Sequence, residues 1–182
     1  MFGSDAIAGV GAAQKIDNFA SMPSQSIGLA ITTYVSQNLG AKRQDRVHQG
    51  IRIGNIITTI AVIGIALPSY IFAPQLIAIF NNDPGVIEYG VAMVRAIVPL
   101  YIILGINSVY TGVVRGYGFS RTVMIISLLC MVVIRQIYLY IGMKIFNSIY
   151  IVYYGYPFAW ALTLAGVYAF YIIRIRRRER EF

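Results

Sequence analysis

Polar residues in this chain gather in short segments, and between them lie five long runs dominated by apolar residues: 6–39, 53–74, 86–114, 122–143 and 149–173. A helix crossing about 30 Å of hydrocarbon needs roughly 20 mainly apolar residues, so each run is long enough to span a bilayer. The first and third runs exceed that length, which predicts tilt or helix continuing into the headgroup layer. The longest polar stretch, Gly40 to Gly50, is short and charged and reads as an exposed connector. The pattern therefore predicts an all-α fold, a multi-pass transmembrane helical bundle of about five membrane helices. It fills residues 1–182 and ends in a basic tail at 174–182.

Local signals sharpen some of these elements. Asn82 and Asp83 can supply cap oxygens to the third helix, Pro84 suits its first position, and Glu88 favours the positive end of the helix dipole. Inside the runs, Pro23, Pro68 and Pro99 each remove a backbone donor. Each is a candidate helix break; Pro23 frees the carbonyl one turn earlier, near Phe19. Met1 to Ala8 lack the basic region and cleavage motif of a signal peptide, so the first run is expected to remain in the mature protein.

Composition removes other classes. Hydrophobic residues make up 58% and charged residues 12% of the chain, against roughly 25% charged in a soluble domain. The formal net charge of +8 could point to nucleic acid, but the basic residues fall between apolar runs instead of lining one face, so membrane lipid is the expected partner and nucleic acid is not. Lys42, Arg43, Arg46 and Arg52 follow the first run, Arg115 and Arg121 the third, and Arg174, Arg176, Arg177, Arg178 and Arg180 the fifth, whereas the opposite side carries only Lys144. The positive-inside rule then puts the C-terminus in the cytoplasm and the N-terminus outside, in a cell-membrane protein. Tyr150, Tyr153, Tyr154 and Tyr156 at one end of the last run, and Tyr168 and Tyr171 at the other, read as aromatic belts.

The one cysteine, Cys130, and the one histidine, His48, cannot assemble a disulfide framework or a metal cluster, so no metal is expected. Gly9-Val10-Gly11 lacks the third glycine of a dinucleotide fingerprint and follows no strand. No nucleophile stands beside a base and no carboxylates oppose one another. The chain is not expected to be an enzyme.

The first run carries a small and polar stripe. Gln14, Asn18, Ser21, Gln25, Gly28, Thr32 and Ser36 recur every three or four residues and share one helix face, suited either to close helix packing or to lining a water-filled cavity. Asp17 is the only carboxylate well inside any run, a candidate for cation coupling that a structural partner could instead neutralise. Lys15 is too close in sequence to share its face. Arg135 is costly in lipid and must face protein, water or an interface, as must Arg95, which can snorkel toward the nearer end. Asn107, Ser108, Tyr110 and Thr111 make the inner half of the third run polar, with the same choice between packing and lining.

Three stretches together resemble the C-terminal half of multidrug and toxic compound extrusion (MATE) transporters. The first runs from Ser4-Asp5-Ala6-Ile7-Ala8 through Lys15-Ile16-Asp17 and Met22-Pro23 to Gln37-Asn38-Leu39-Gly40-Ala41. The second is Asp83-Pro84-Gly85-Val86-Ile87, and the third is Val114-Arg115-Gly116-Tyr117-Gly118-Phe119-Ser120-Arg121-Thr122 followed by Arg135. The resemblance spans nearly the whole chain and corresponds to helices eight to twelve of a twelve-helix, two-lobe carrier. It implies secondary active efflux of drugs or cationic organic compounds by alternating access, by antiport with sodium or protons and without another cofactor. Gln14, Asn18, Ser21, Gln25, Thr32, Asn107, Tyr110 and Arg135 become candidate cavity residues, and Asp17 the candidate coupling acid. Two departures stand out: the third run lacks the coupling carboxylate of some family members, and Gln136-Ile137 replaces a frequent proline, so no kink is expected there. A first lobe and helix seven have no counterpart in these residues, which implies a partner lobe or self-association. The alternatives are a lipid-linked saccharide flippase of similar architecture and a non-transporting membrane fragment.

Overall fold

The computed structural model describes residues 3–146 and 148–177. Arg178 and Arg180, at the end of the predicted basic tail, lie outside them. The described chain is helical: α1 (Gly3–Gly40), α2 (Gln44–Ile71), α3 (Ala73–Ala78), α4 (Pro84–Ile97), α5 (Tyr101–Gly116), α6 (Ser120–Leu128), α7 (Arg135–Phe146) and α8 (Ile149–Phe170). A 3-10 turn, Val98–Leu100, joins α4 to α5, and a π-helical segment, Leu129–Ile134, joins α6 to α7. The resulting stretches Gln44–Ile71, Pro84–Gly116, Ser120–Phe146 and Ile149–Arg176 are long and apolar enough to cross a membrane. The chain is thus a multi-pass membrane bundle. At 38 residues α1 reaches about 57 Å, but Gln14, Lys15, Asp17 and Asn18 make it more polar than the other four.

Packing places α1 and α5 at the centre. Helix α1 lies along α4, α5 and α2, while α5 also touches α2 and α8, and the α6–α7 rod leans on α8 from outside. Small residues permit this closeness. A side chain on Gly112 would run into the Gly28 carbonyl, and one on Gly28 would stand 2.8 Å from the Ser108 carbonyl oxygen. Apolar contact on both sides of this crossing fills two cores. One contains Ala13, Ile16, Met93, Ile97, Tyr101 and Trp160, the other Val35, Val47, Val109, Val113, Val123 and Val167. Met124, Ile125, Leu128, Leu129, Val132 and Val133 instead point outward from the α6–α7 rod, as side chains facing lipid do.

Several expectations change on contact with the structure. Helix α2 begins at Gln44, so most of the polar Gly40 to Gly50 stretch is helix, and the turn is Ala41 to Arg43 with Lys42 at φ 56°. Charge alone does not stop a helix; it places its first turns in the headgroup layer. Pro23 lies inside an uninterrupted α1, and Pro68 lies three residues before the end of α2, where its carbonyl accepts from the Phe72 amide. Pro99 alone of the three sits in a change of helix type. The absence of a proline after Arg135 does not leave α6–α7 regular either, since the π-helical segment directly precedes Arg135. The tyrosines are not all belts: Tyr153 is fully buried and donates to the Tyr89 carbonyl at 3.1 Å, and Tyr171 is buried, while Tyr150, Tyr154 and Tyr168 remain exposed.

The start of α4 follows its local chemistry. The Asp83 carboxylate accepts from the Gly85 amide at 2.8 Å, and Pro84 occupies the first turn. Asn81, not Asn82, supports the cap, its side-chain oxygen accepting from the Asp83 amide at 2.8 Å.

Candidate functional site

The stripe on α1 runs along the flank of the helix, at the border between its packed face and its outer apolar face. Gly28 is buried, Gln14, Ser21 and Thr32 are half-buried, and Asn18, Gln25 and Ser36 are exposed. Most of its hydroxyls are satisfied within the helix. Ser21 donates to the Asn18 carbonyl at 2.9 Å and Thr32 to the Gly28 carbonyl at 2.9 Å, while the Gln25 amide reaches Ser21 Oγ at 3.2 Å. Such back-bonding makes these groups cheap to hold in a membrane and leaves little demand for an outside partner.

Other polar atoms have no such solution. Among the described residues, the side-chain atoms that are sealed from solvent without a hydrogen-bond partner are Asp17 Oδ1, Thr58 Oγ1, Asn107 Oδ1 and Arg135 Nε. Three of these four belong to residues singled out by sequence. Asp17 lies on α1 itself, Thr58 and Asn107 lie on α2 and α5, which pack against α1, and Arg135 lies on α7, joined to α1 through Tyr156.

Asp17 looks toward an aromatic wall built by α5 and α8. Its side-chain neighbour is the Tyr101 phenol, and the Tyr101 ring meets Trp160 at 6.0 Å between centroids. Trp160 continues to Tyr156 at 6.4 Å. The Tyr156 hydroxyl accepts from the Gln14 amide at 2.8 Å, and the guanidinium carbon of Arg135 lies 3.7 Å from the Tyr156 ring centre. An acid and a guanidinium thus stand at opposite ends of a continuous run of aromatic rings. Lys15 does not neutralise Asp17: its ammonium sits over Phe80, 5.0 Å from the ring centre. Arg95 is exposed, 5.8 Å over the Tyr70 ring.

Further along α1 a cavity of about 270 Å³ opens between α1, α5, α8 and the α6–α7 rod. Gln25, Gly28, Asn107, Ser108, Thr111, Arg115, Ser127 and Thr163 supply its small and polar lining, and Leu29 and Met131 its apolar part. Sequence reasoning identified Gln25 and Asn107 as candidates, and it missed Ser127 and Thr163. Their runs carry no polar periodicity, and only the fold brings them to the α1 flank. Tyr110 lies apart from this site, packed edge-on against Tyr168 with ring centroids 4.8 Å apart. Pro99 lines a separate apolar cleft of about 370 Å³ with Val62, Ala66, Tyr70 and Ile102. The aromatic wall was also missed: Tyr156 read as part of a belt, and Tyr101 and Trp160 lie unremarked inside the runs 86–114 and 149–173.

The arrangement suits recognition of a flat or cationic molecule better than bond chemistry. Aromatic faces accept cations and apolar rings, small polar groups orient a guest, and the acid supplies charge. Comparisons with known proteins identify the family. Residues 1–141 match the model of the MatE family. The chain is 28% identical to the probable multidrug resistance protein YpnP of Bacillus subtilis (strain 168) over 134 residues, which cover 74% of this chain and 30% of the relative. It is 23% identical to the probable multidrug resistance protein YoeA of the same organism, over 93% of this chain and 37% of the relative. A probable multidrug resistance protein NorM of Thermotoga maritima is 29% identical over 80% of this chain and 31% of its own length. The chain thus spans about a third of the length of these relatives. With the family model covering more than half of the residues, and with the motifs and helices in the expected order, this chain belongs to the MatE family.

Proposed function

We propose that this chain forms one lobe of a cation-coupled exporter of drugs or organic cations, which works by alternating access against a complementary lobe. The observation that carries the reading is the set of unpartnered buried atoms on Asp17, Asn107 and Arg135 beside the α1 flank. Leaving a buried donor or acceptor unpaired costs about 1–3 kcal/mol, a cost that a folded protein tolerates where a ligand or ion completes the bonding. Names of the relatives, all probable multidrug resistance proteins, support the substrate class.

In this reading Asp17 exchanges the coupling ion, sodium or a proton, and the Tyr101–Trp160–Tyr156 wall receives the flat or cationic part of the drug. Gln14, Gln25 and Asn107 orient its polar groups. Binding of the ion at Asp17 and of a cationic drug nearby compete for the same negative charge, which is the thermodynamic basis of antiport. The basic loops face the cytoplasm and the chain start lies outside. One lobe lines one side of a cavity, so activity requires a partner lobe or a second copy.

The test uses proteoliposomes holding the chain together with a complementary first lobe from a MatE relative. Ethidium export is followed with and without an imposed sodium or proton gradient. Export that rises with one gradient supports the proposal. Export indifferent to both gradients sinks it.

A further inference from the structure

A second cavity, of about 520 Å³, opens at the basic end of the bundle between α2, α5 and the end of α8 with its π-helical extension Tyr171–Arg176. Its rim carries Gln44, His48, Arg52 and Arg176, and its floor carries Ile51, Tyr110, Tyr168 and Tyr171. Two guanidinium groups therefore enter one pocket whose eight lining residues include no carboxylate. Arg52 and Arg176 are exposed, while Ile51 and Tyr171 beneath them are buried. The three tyrosine rings brace one another: Tyr110 meets Tyr168 at 4.8 Å and Tyr171 at 5.6 Å between centroids, with interplanar angles of 85° and 58°. The floor is thus a packed wall that offers phenol groups.

The surface directly beneath the pocket is apolar in a particular register. His48, Arg52, Ile56, Ile60 and Ile63 follow one another at steps of four, four, four and three residues, so they share one face of α2. Ile56 is 58% exposed, Ile60 66% and Ile63 53%. That face presents an arginine at its end and then a row of isoleucines, and from Arg52 to Ile63 it runs about 16 Å toward the middle of the bilayer at a 1.5 Å rise per residue.

We propose that this pocket and the α2 face below it bind one anionic phospholipid, with the phosphate group between Arg52 and Arg176 and an acyl chain along Ile56, Ile60 and Ile63. Guanidinium groups pair with phosphate oxygens through charge-assisted hydrogen bonds, and tyrosine and glutamine side chains add neutral ones. A basic pocket between membrane helices at the headgroup level is the setting in which anionic lipids are recognised. A zwitterionic choline headgroup fits less well, because its ammonium would meet two arginines. Free phosphate shares the headgroup chemistry but makes no use of the isoleucine row. The site is separate from the Asp17 wall and does not depend on the transport reading.

The experiment is native mass spectrometry of the purified, delipidated chain in neutral detergent, with dioleoylphosphatidylglycerol, dioleoylphosphatidylcholine or sodium phosphate added at equal concentration. The proposal expects one tightly retained phosphatidylglycerol, preferred over phosphatidylcholine by roughly thirtyfold, a size set by two arginines near an anionic headgroup. Arg52→Gln with Arg176→Gln abolishes that preference. Arg43→Gln with Arg121→Gln, which removes the same net charge at residues outside the pocket, keeps it. Ile60→Gln weakens phosphatidylglycerol retention and leaves the protein folded, as judged by its thermal midpoint. Equal retention of both lipids, equal loss in the two arginine pairs, or inorganic phosphate held as tightly as the lipid each overturns the assignment.

Discussion

The guanidinium of Arg135 rests 3.7 Å from the centre of the Tyr156 ring, while the hydroxyl of the same ring accepts a 2.8 Å hydrogen bond from Gln14. One tyrosine therefore ties α7 to α1 across α8, holding a cation with its face and an amide with its edge. The two roles separate by substitution. Tyr156→Phe keeps the face and leaves the Gln14 amide unpaired, which costs about 1 kcal/mol. Tyr156→Leu also strips the half-buried guanidinium of its aromatic partner, for about 1–2 kcal/mol more. Thermal midpoints in detergent should fall in the order native, Phe, Leu. Equal midpoints for the two variants would mean that the ring face contributes nothing.

Asp17→Asn changes one charge and almost no volume. The carboxylate is half-buried with one oxygen unpartnered, and burying an uncompensated charge is unfavourable, so the amide should not lower the thermal midpoint. It should abolish the dependence of export on the imposed ion gradient while leaving membrane insertion intact. Ethidium export at a fixed drug gradient, measured with and without the ion gradient, checks this. Undiminished coupling in the asparagine variant would remove Asp17 from the ion site.

Long apolar runs and the Asp83–Pro84 start signal made the helices legible in the sequence, because length and capping are local properties. Asp17, Asn107 and Arg135 were also legible, since a polar group deep in an apolar run is conspicuous by contrast. The aromatic wall was not. Tyr101, Tyr156 and Trp160 differ from lipid-facing aromatics only in which way they face, and that is decided by helix rotation and by the 3-10 turn at Val98–Leu100. The same holds for Ser127 and Thr163: each hydroxyl can be absorbed by its own helix, as Thr163 is by the Ala159 carbonyl at 2.8 Å, so position along the chain does not reveal a cavity beside it. The π-helical segment before Arg135 carries no proline, and proline was the break signal available to pattern reasoning.

Contact between α1 and α5 gives a steric prediction. A side chain on Gly112 collides with the Gly28 backbone carbonyl, an atom that cannot swing aside as a flexible side chain can. Gly112→Val should force the helices apart and destabilise the bundle by at least about 2 kcal/mol. Gly64→Ala provides the contrast, because nothing stands within 4 Å of the added carbon, and alanine gains helix propensity of up to about 1 kcal/mol over glycine. Thermal unfolding in detergent should show a large drop for the first and a small rise or no change for the second. A tolerated valine would mean that α1 and α5 lie further apart in the membrane than their backbones do here.

The cap of α4 links a surface contact to the half-buried Asp17. Asp83 accepts from the Gly85 amide at 2.8 Å and is itself braced by Asn81, so two residues fix where α4 starts. From that start the helix runs to Ile97, and the 3-10 turn then sets Tyr101 beside Asp17. Asp83→Ala removes the cap acceptor and should cost about 1 kcal/mol, whereas Asp83→Asn keeps an acceptor oxygen and loses only the favourable charge at the helix N-terminus, about 0.3–1 kcal/mol. Fraying is confined to the first turn, because the Gly9 and Gly90 backbones pack closely one turn further on, where a side chain on Gly9 would stand 2.9 Å from the Gly90 nitrogen. Hydrogen exchange should therefore speed up at Val86 and Ile87 in the alanine variant and stay unchanged at Tyr101, with ion-coupled export preserved. Faster exchange at Tyr101 would mean that the cap, and not the contact between α1 and α4, holds the Asp17 wall in place.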